Sequence, residues 1–296
     1  MTKILLLGSQ GQVGQELVTT LPAVGKVTAW SRQDLDLAQS EQIGPRILAE
    51  QPDVIVNAAA YTAVDKAEQE PELAHQINGK APGQLAQAAQ ACGATLVHIS
   101  TDYVFDGQQN RPYQPSTPTH PLGVYGQSKL AGELAIQAAS DRHVILRTAW
   151  VYGAKGQGNF VKTMLRLGSE RDTLKVVYDQ VGCPTWSYDI AQAIAQLIPH
   201  LGPSTCGTYH FTNSGAVSWY DFANAIFEEA AALGWPLKLE TVLPITTDQY
   251  PRPAQRPAYS VLSSEKLTAI LQQTPPYWRV SLRKMLQELV SSRPSA

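Results

Sequence analysis

Five short, mostly apolar runs recur through the first half of the chain: Ile4–Leu7, Val27–Trp30, Val54–Val56, Leu96–Ile99 and Val144–Leu146. A strand with one wet face alternates polar and apolar residues. A strand apolar throughout must be covered on both faces, as helices cover the two sides of a parallel sheet. Helical stretches lie between the runs, among them "GQVGQELVTTL" and the alanine-rich "GQLAQAAQACG", which Gly93 stops. Strand and helix in alternation over residues 1–150 predict an α/β fold, a doubly wound parallel sheet of the Rossmann kind.

After Trp150 the rhythm breaks. Glycines cluster in "YGAKGQGNF" and prolines in "LPITTDQYPRPAQRPAYSVL". "LKVVYDQ", "YDIAQAIAQLI" and "TYHFTN" suggest a further strand, helix and strand. The expected organisation is a dinucleotide-binding domain over 1–150 to which 184–211 returns, with 151–183 and 212–296 forming a smaller α/β substrate lobe.

Composition narrows the functional classes. With 44% hydrophobic and 16% charged residues the chain has ample core material and no sign of disorder. A net charge of −2 and a pI near 6.3 remove the simplest argument for nucleic acid or an anionic membrane as partner. The three cysteines, Cys92, Cys183 and Cys206, are widely spaced and odd in number, which suggests reduced thiols. The opening "MTKILLLGSQG" is too short for a membrane span and lacks a small-residue cleavage site, so it reads as a strand. A soluble, cytoplasmic protein is expected.

"ILLLGSQGQVGQEL" sets Gly8, Gly11 and Gly14 directly after the first strand and at the mouth of the first helix. Glycines there let the backbone turn tightly and let a pyrophosphate approach the unpaired N–H groups of the helix start. The spacing is GxxGxxG rather than the usual GxGxxG, and a bare glycine-rich turn is the plainer alternative. The second strand ends "AWSRQDLD", giving Ser31 and Arg32 before any acid. Arginine at that place accommodates a ribose 2′-phosphate, so NADPH is the expected cofactor, with NADH the alternative; a solvated loop arginine would look the same.

The fourth run ends "VHISTDYVFDG", delivering Ser100, Thr101 and Asp102 to the carboxyl edge of the sheet, where open α/β folds bind ligands. Tyr125 follows at the start of "GQSKLAGELAIQAA", and Lys129 lies one helical turn further on. A carbonyl that accepts hydride needs a proton, and a tyrosine with a pKa of about 10 is a poor donor until shifted. Moving it by about 3 units takes roughly 4 kcal/mol, which a cation ~4 Å away supplies at an effective dielectric near 20. Tyr125 as acid, Lys129 tuning it and Thr101 aiming the carbonyl form one hypothesis. The plainer one is that Lys129 pairs with Glu133 along the helix.

The glycine loop, "NAAAYTAVDKAE" (57–68), "STDYVF" (100–105), "YGQSKLAGE" (125–133) and "RTAWVYG" (147–153) together resemble the extended short-chain dehydrogenase/reductases. "DQVGCPT" (179–185) and "RPAYSVL" (256–262) carry the likeness over nearly the whole chain. They look most like the branch that reduces the C4 ketone of dTDP-6-deoxy-L-lyxo-4-hexulose to dTDP-L-rhamnose. The resemblance implies a catalytic set at Thr101, Tyr125 and Lys129. It implies cofactor contacts at Gly11, Gln12 and Val13, at Asp36 and Leu37 beside the adenine, and at Ala60, Tyr61 and Thr62. It implies contacts with a dTDP-sugar substrate at Val64, Asp102 and Trp150. Some relatives form magnesium-bridged dimers through acidic side chains; Glu16 is a candidate for one, but the others have no match, so no metal is expected. A homodimer is only the default for such a chain.

Neighbouring readings are weaker. Dehydratases of this kind resemble Thr-Asp-Glu at the strand end, where this chain has Thr101-Asp102-Tyr103. An epimerase that keeps NAD bound fits Arg32 poorly. The regulatory subunits of methionine adenosyltransferase also resemble this family and bind a nucleotide without turnover. Among single residues, Trp150 is a candidate for stacking on a sugar, Asn159 for bonding the sugar nucleotide, and Arg147, Arg252 and Arg256 for phosphate. A structural or solvated role serves each arginine equally well, a core aromatic is the plainer reading of Trp150, and polar loop residues such as Asn159 are common. The six histidines show no metal-ligand spacing, and Cys183 has no identifiable base.

Overall fold

The computed structural model describes residues 1–292. Strand β1 (Lys3–Leu7) runs through the glycine loop into helix α1 (Gln12–Thr20), followed by β2 (Lys26–Trp30), α2 (Ile43–Glu50) and β3 (Val54–Asn57). Short helices α3 (Val64–Ala67) and α4 (Pro71–His75) and a π-turn at Gln76–Lys80 lead to α5 (Ala81–Cys92). Then come β4 (Thr95–Thr101), α6 (Val124–Ala139) and β5 (His143–Thr148). Beyond them lie β6 (Val151–Tyr152), α7 (Phe160–Glu170), β7 (Thr173–Val177), β8 (Val181–Gly182), β9 (Thr185–Trp186) and α8 (Ser187–Leu197). The described chain finishes with β10 (Gly207–His210), β11 (Val217–Ser218), α9 (Trp219–Ala232), β12 (Thr241–Ile245), α10 (Glu265–Leu271) and α11 (Trp278–Ser291).

Six strands form one parallel sheet in the order β10-β5-β4-β3-β1-β2. The order reverses between β1 and β3, so the loops leaving these two strands diverge and open a crevice at the carboxyl edge. Each apolar run of the sequence is a strand of this sheet, and the alternation of side chains sorts it into two layers. Ile4, Leu6, Val54, Val56, Val97, Val144 and Leu146 pack with Leu17 of α1 and Ile190 and Ile194 of α8. Leu5, Leu7, Ile55, Leu96 and Ile145 face the other way, onto α2, α5 and α6. Burying both faces is what the absence of polar alternation demanded.

A separate core holds Tyr152, Val161, Leu165, Leu174, Phe222, Ile226, Trp278, Leu282 and Met285 from β6, α7, β7, α9 and α11. Strand β10 and helix α8, from the 184–211 segment, pack with the large sheet. Helix α10 lies within the stretch expected for the smaller lobe, yet its Leu267, Ile270 and Leu271 join the core of the large sheet. The chain crosses back because β10 ends that sheet and its outer flank needs an apolar cover. Residues 293–296 of the expected lobe lie outside the described residues.

At the carboxyl end of the sheet the apolar layer gives way to a polar row. Asn57, His98, Ser100 and Arg147 share the strand parity of Ile55, Leu96 and Ile145, so all four face the α5–α6 side. Asn57 lies directly opposite His98, and Ser100 opposite Arg147.

Candidate active site

The glycine loop is tied to the second strand: the N–H groups of Gly8 and Ser9 both donate to the Trp30 carbonyl, at 3.0 and 3.1 Å. Gly8 sits in the left-handed region at φ 78°, and a Cβ on Gly14 would collide with the Gly8 carbonyl. Gly11 is different. Its φ of −72° suits any residue, and a Cβ there would meet only the Gly8 carbonyl, at 3.4 Å. Neither conformation nor packing within the chain requires glycine at 11, yet the residue lines the crevice as the uncapped N-cap of α1. The geometry leaves room for a close anionic ligand at that helix start.

One cleft of about 750 Å³, in the range of nucleotide-sized sites, gathers most of the expected residues. Gly8, Gly11, Gln12 and Val13 form its floor. Ser31, Arg32, Asp36 and Leu37 line one end, and Ala60, Tyr61, Thr62 and Val64 the flank. Thr101, Asp102, Tyr125, Lys129 and Trp150 line the other end, and Asn159 lies against Gln12 of the floor. Gly14 packs behind the loop, and Arg256 is not part of the lining.

At the ribose end, Asp34 is occupied: its Oδ2 accepts from the Ser31 N–H and hydroxyl, both at 2.8 Å, which holds its carboxyl below the usual range. Arg32 remains 75% exposed, paired with Asp36 at 3.1 Å. On the flank, the Tyr61 main chain is clamped by the Asn78 amide at 2.8 and 2.9 Å, and its hydroxyl donates to Glu70 at 2.8 Å.

Thr101, Tyr125 and Lys129 meet at the far end. The Thr101 hydroxyl donates to Asp102 Oδ1 at 3.1 Å and accepts from the Tyr103 N–H at 3.2 Å. Asp102 is 2% exposed and its Oδ2 has no partner; burial pushes its carboxyl up to about 6, opposed by the Ser260 and Thr101 hydroxyls. Burial likewise pushes the Tyr125 phenol up to about 12; the Thr101 hydroxyl favours the ionised form and Asp102 opposes it. Tyr103 packs edge-on against Tyr125, ring centres 5.4 Å apart.

Two expectations need correction. The Lys129 side chain is not turned to Tyr125: Nζ donates to the Ile99 carbonyl at 2.8 Å and lies 3.2 Å from His98 Nε2, because a buried nitrogen goes to the polar groups within its reach. The alternative Lys129–Glu133 pair is not formed either. Glu133 takes Arg147 in a two-pronged contact, 2.6 Å at its shortest, and the Ser100 hydroxyl at 2.5 Å. Arg147 is therefore structural. Burial lowers Lys129 to about 8, with Glu133 pulling the other way.

Other candidates are spent on the fold. Asn159 caps α7, accepting from the Lys162 N–H at 3.0 Å and donating to Gln12 Oε1 and the Gly153 carbonyl, both at 2.8 Å. It stitches the phosphate loop to the second lobe. Arg256 pairs with Asp65 of α3 at 3.0 Å, and Arg252 approaches the same carboxylate at 3.8 Å. The Trp150 indole already stacks on Trp219, ring centres 3.5 Å apart and 4° from parallel, and Trp150 is held at φ 48°, a strained conformation for a bulky residue. Glu16 pairs with Lys155 at 2.9 Å. Sequence reasoning missed Asn57 and His98; a polar residue inside an otherwise apolar run was the available signal.

A reversing parallel sheet, a glycine loop at its crossover and a threonine, tyrosine and lysine at the far end of the same cleft define an extended short-chain dehydrogenase/reductase. The chain belongs, within that class, to the dTDP-4-dehydrorhamnose reductase family: the family model described as the RmlD substrate binding domain matches residues 1–291. The dTDP-4-dehydrorhamnose reductase of Burkholderia thailandensis is 43% identical over 98% of this chain and 99% of its own. The crystal structure of the dTDP-4-dehydrorhamnose reductase from Clostridium acetobutylicum superposes with a TM-score of 0.90 at 39% identity, covering 97% of this chain and 99% of its own. That from Bacillus anthracis, in complex with NADP, gives a TM-score of 0.90 at 37% identity with the same coverage.

Proposed function

We propose that this protein reduces the C4 ketone of dTDP-6-deoxy-L-lyxo-4-hexulose to dTDP-L-rhamnose with NADPH. The observation that carries the reading is Thr101, Tyr125 and Lys129 on one end of the cleft whose floor is the glycine loop. Family membership supplies the substrate class. Gly11, Gln12 and Val13 would hold the pyrophosphate, Arg32 the 2′-phosphate and Lys129 the nicotinamide ribose. When bound, NADPH supplies the hydride.

The remaining chemistry belongs to the side chains. Tyr125 is protonated at neutral pH in the free protein, the starting state that a reduction requires, but burial raises its pKa instead of lowering it, so the downward shift expected of Lys129 would have to come with the bound cofactor and substrate. As charge grows on the C4 oxygen, the phenol passes that proton to it. Thr101 aims the same oxygen once its hydroxyl turns from Asp102. Tyr103 stands where a second acid would be needed for dehydration, so the geometry favours plain reduction.

The test is NADPH consumption with freshly generated dTDP-6-deoxy-L-lyxo-4-hexulose, with the product sugar identified and Tyr125→Phe run alongside. Formation of dTDP-L-rhamnose that is lost in the variant supports the reading. NADPH binding without consumption would overturn it in favour of a nucleotide-binding regulatory subunit.

A further inference from the structure

Asn57, His98 and Lys129 form a closed chain of polar contacts beneath the cleft. Asn57 and His98 are fully buried and Lys129 is 1% exposed. The orientation of the Asn57 amide is set at one end: the Ala59 N–H donates to Oδ1 at 3.1 Å, which leaves Nδ2 facing His98 Nδ1 at 3.0 Å. An amide NH₂ can only donate, so Nδ1 must accept. A neutral imidazole then carries its proton on Nε2, and that atom faces Lys129 Nζ at 3.2 Å. An ammonium has donors only, whereas an amine has one lone pair to offer. One of the amine's two hydrogens is directed to the Ile99 carbonyl at 2.8 Å.

We infer that Asn57 fixes His98 as the Nε2–H tautomer, and that His98 thereby hydrogen-bonds to the lone pair of a Lys129 that is uncharged at mildly alkaline pH in the cofactor-free protein. His98 is a positioning residue: it holds the lysine at the back of the cleft and makes its charge conditional. At that pH Lys129 regains its charge when a new acceptor in the cleft draws it away, as it also does when the pH falls below about 8.

The surrounding charges agree. Helix α6 presents Tyr125 and Glu133 to Lys129, β4 presents His98, and β5 presents Arg147 behind Glu133, while β3 brings no titratable side chain. The one carboxylate, Glu133, is already matched by Arg147 and Ser100. Burial moves both Lys129 and His98 toward their neutral forms.

The test is nitrogen-15 NMR on the cofactor-free protein, so it stands apart from which ketone is reduced. Long-range proton–nitrogen spectra distinguish the two tautomers, with the His98 signals assigned by their loss in His98→Gln. The Nζ shift of labelled lysine reports charge, read about two units below the ordinary lysine value. The expected result is Nε2–H at His98 and an uncharged Lys129. In Asn57→Asp the carboxylate accepts from both the Ala59 N–H and His98, so the proton should move to Nδ1 and the Lys129 titration should rise by about one unit or more. Nδ1–H in the wild type, a charged Lys129 at that pH, or an unchanged tautomer in folded Asn57→Asp would each overturn the inference. If the variant does not fold, the wild-type tautomer and charge decide alone.

Discussion

Thr101 gives its hydroxyl proton to Asp102, Oγ1 to Oδ1 at 3.1 Å, while Oγ1 accepts from the Tyr103 N–H. The hydroxyl proposed to aim the substrate is thus engaged in the free protein, and substrate binding must redirect it. Thr101→Val keeps the shape and removes the donor. Turnover should fall by about 10²–10³, the cost of losing one donor at a developing oxyanion, while NADPH binding is retained. Steady-state rates beside a cofactor titration check this, and unchanged turnover would remove Thr101 from the mechanism.

Tyr125→Phe should lower turnover by about 10²–10⁴, the usual range for a general acid. The ring still packs against Tyr103, so thermal stability and cofactor binding should hold. A variant that turns over normally would rule Tyr125 out as the acid.

Asp102 makes stability depend on pH in a stated direction. Its folded carboxyl titrates at about 6 against an ordinary 3.8, so the native state prefers the neutral form. The favourable balance is complete below the unfolded value and is lost as pH rises through the folded one. The full loss is about 3 kcal/mol by linkage. Asp102→Asn should therefore melt at a higher temperature than the wild type above about pH 6, with the gap closing toward pH 4. Melting curves across that window test it; a variant less stable at every pH would contradict it.

Glu133 and Arg147 form a buried pair, their side chains 1% and 5% exposed. Arg147→Met leaves the carboxylate uncompensated and should cost about 3–5 kcal/mol, with Glu133→Gln/Arg147→Met recovering much of it. Urea unfolding of the single and double variants measures this. Equal losses in both would mean that the charge itself is not what the pairing neutralises.

Arg32 is an exposed partner of Asp36, and such surface pairs contribute about 0–1 kcal/mol. Arg32→Ala should leave the melting temperature nearly unchanged and weaken NADPH by about 10–100-fold, the worth of a charge-assisted bond, with NADH little affected. Equal effects on the two cofactors would show that the arginine does not read the 2′-phosphate.

What the sequence determined by itself was set by short-range regularity. Apolar runs without polar alternation required a sheet covered on both faces, and glycines after the first run marked the mouth of its cleft. The four-residue spacing of Tyr125 and Lys129 placed them one turn apart on α6. Which polar groups meet was decided only by tertiary structure. Strand register set Asn57 opposite His98 and Ser100 opposite Arg147, and helix packing laid Lys129 and Glu133 over that row. The partners of Asn159 and Arg256 lie 147 and 191 residues away. Propensity and periodicity act over a few residues, whereas a buried donor takes the acceptor that the packed chain brings to it. That is why the fold and the gathering of Thr101, Tyr125 and Lys129 along one cleft were legible in the sequence, while Lys129's turn to His98 and the structural partners of Asn159, Arg147 and Arg256 were not.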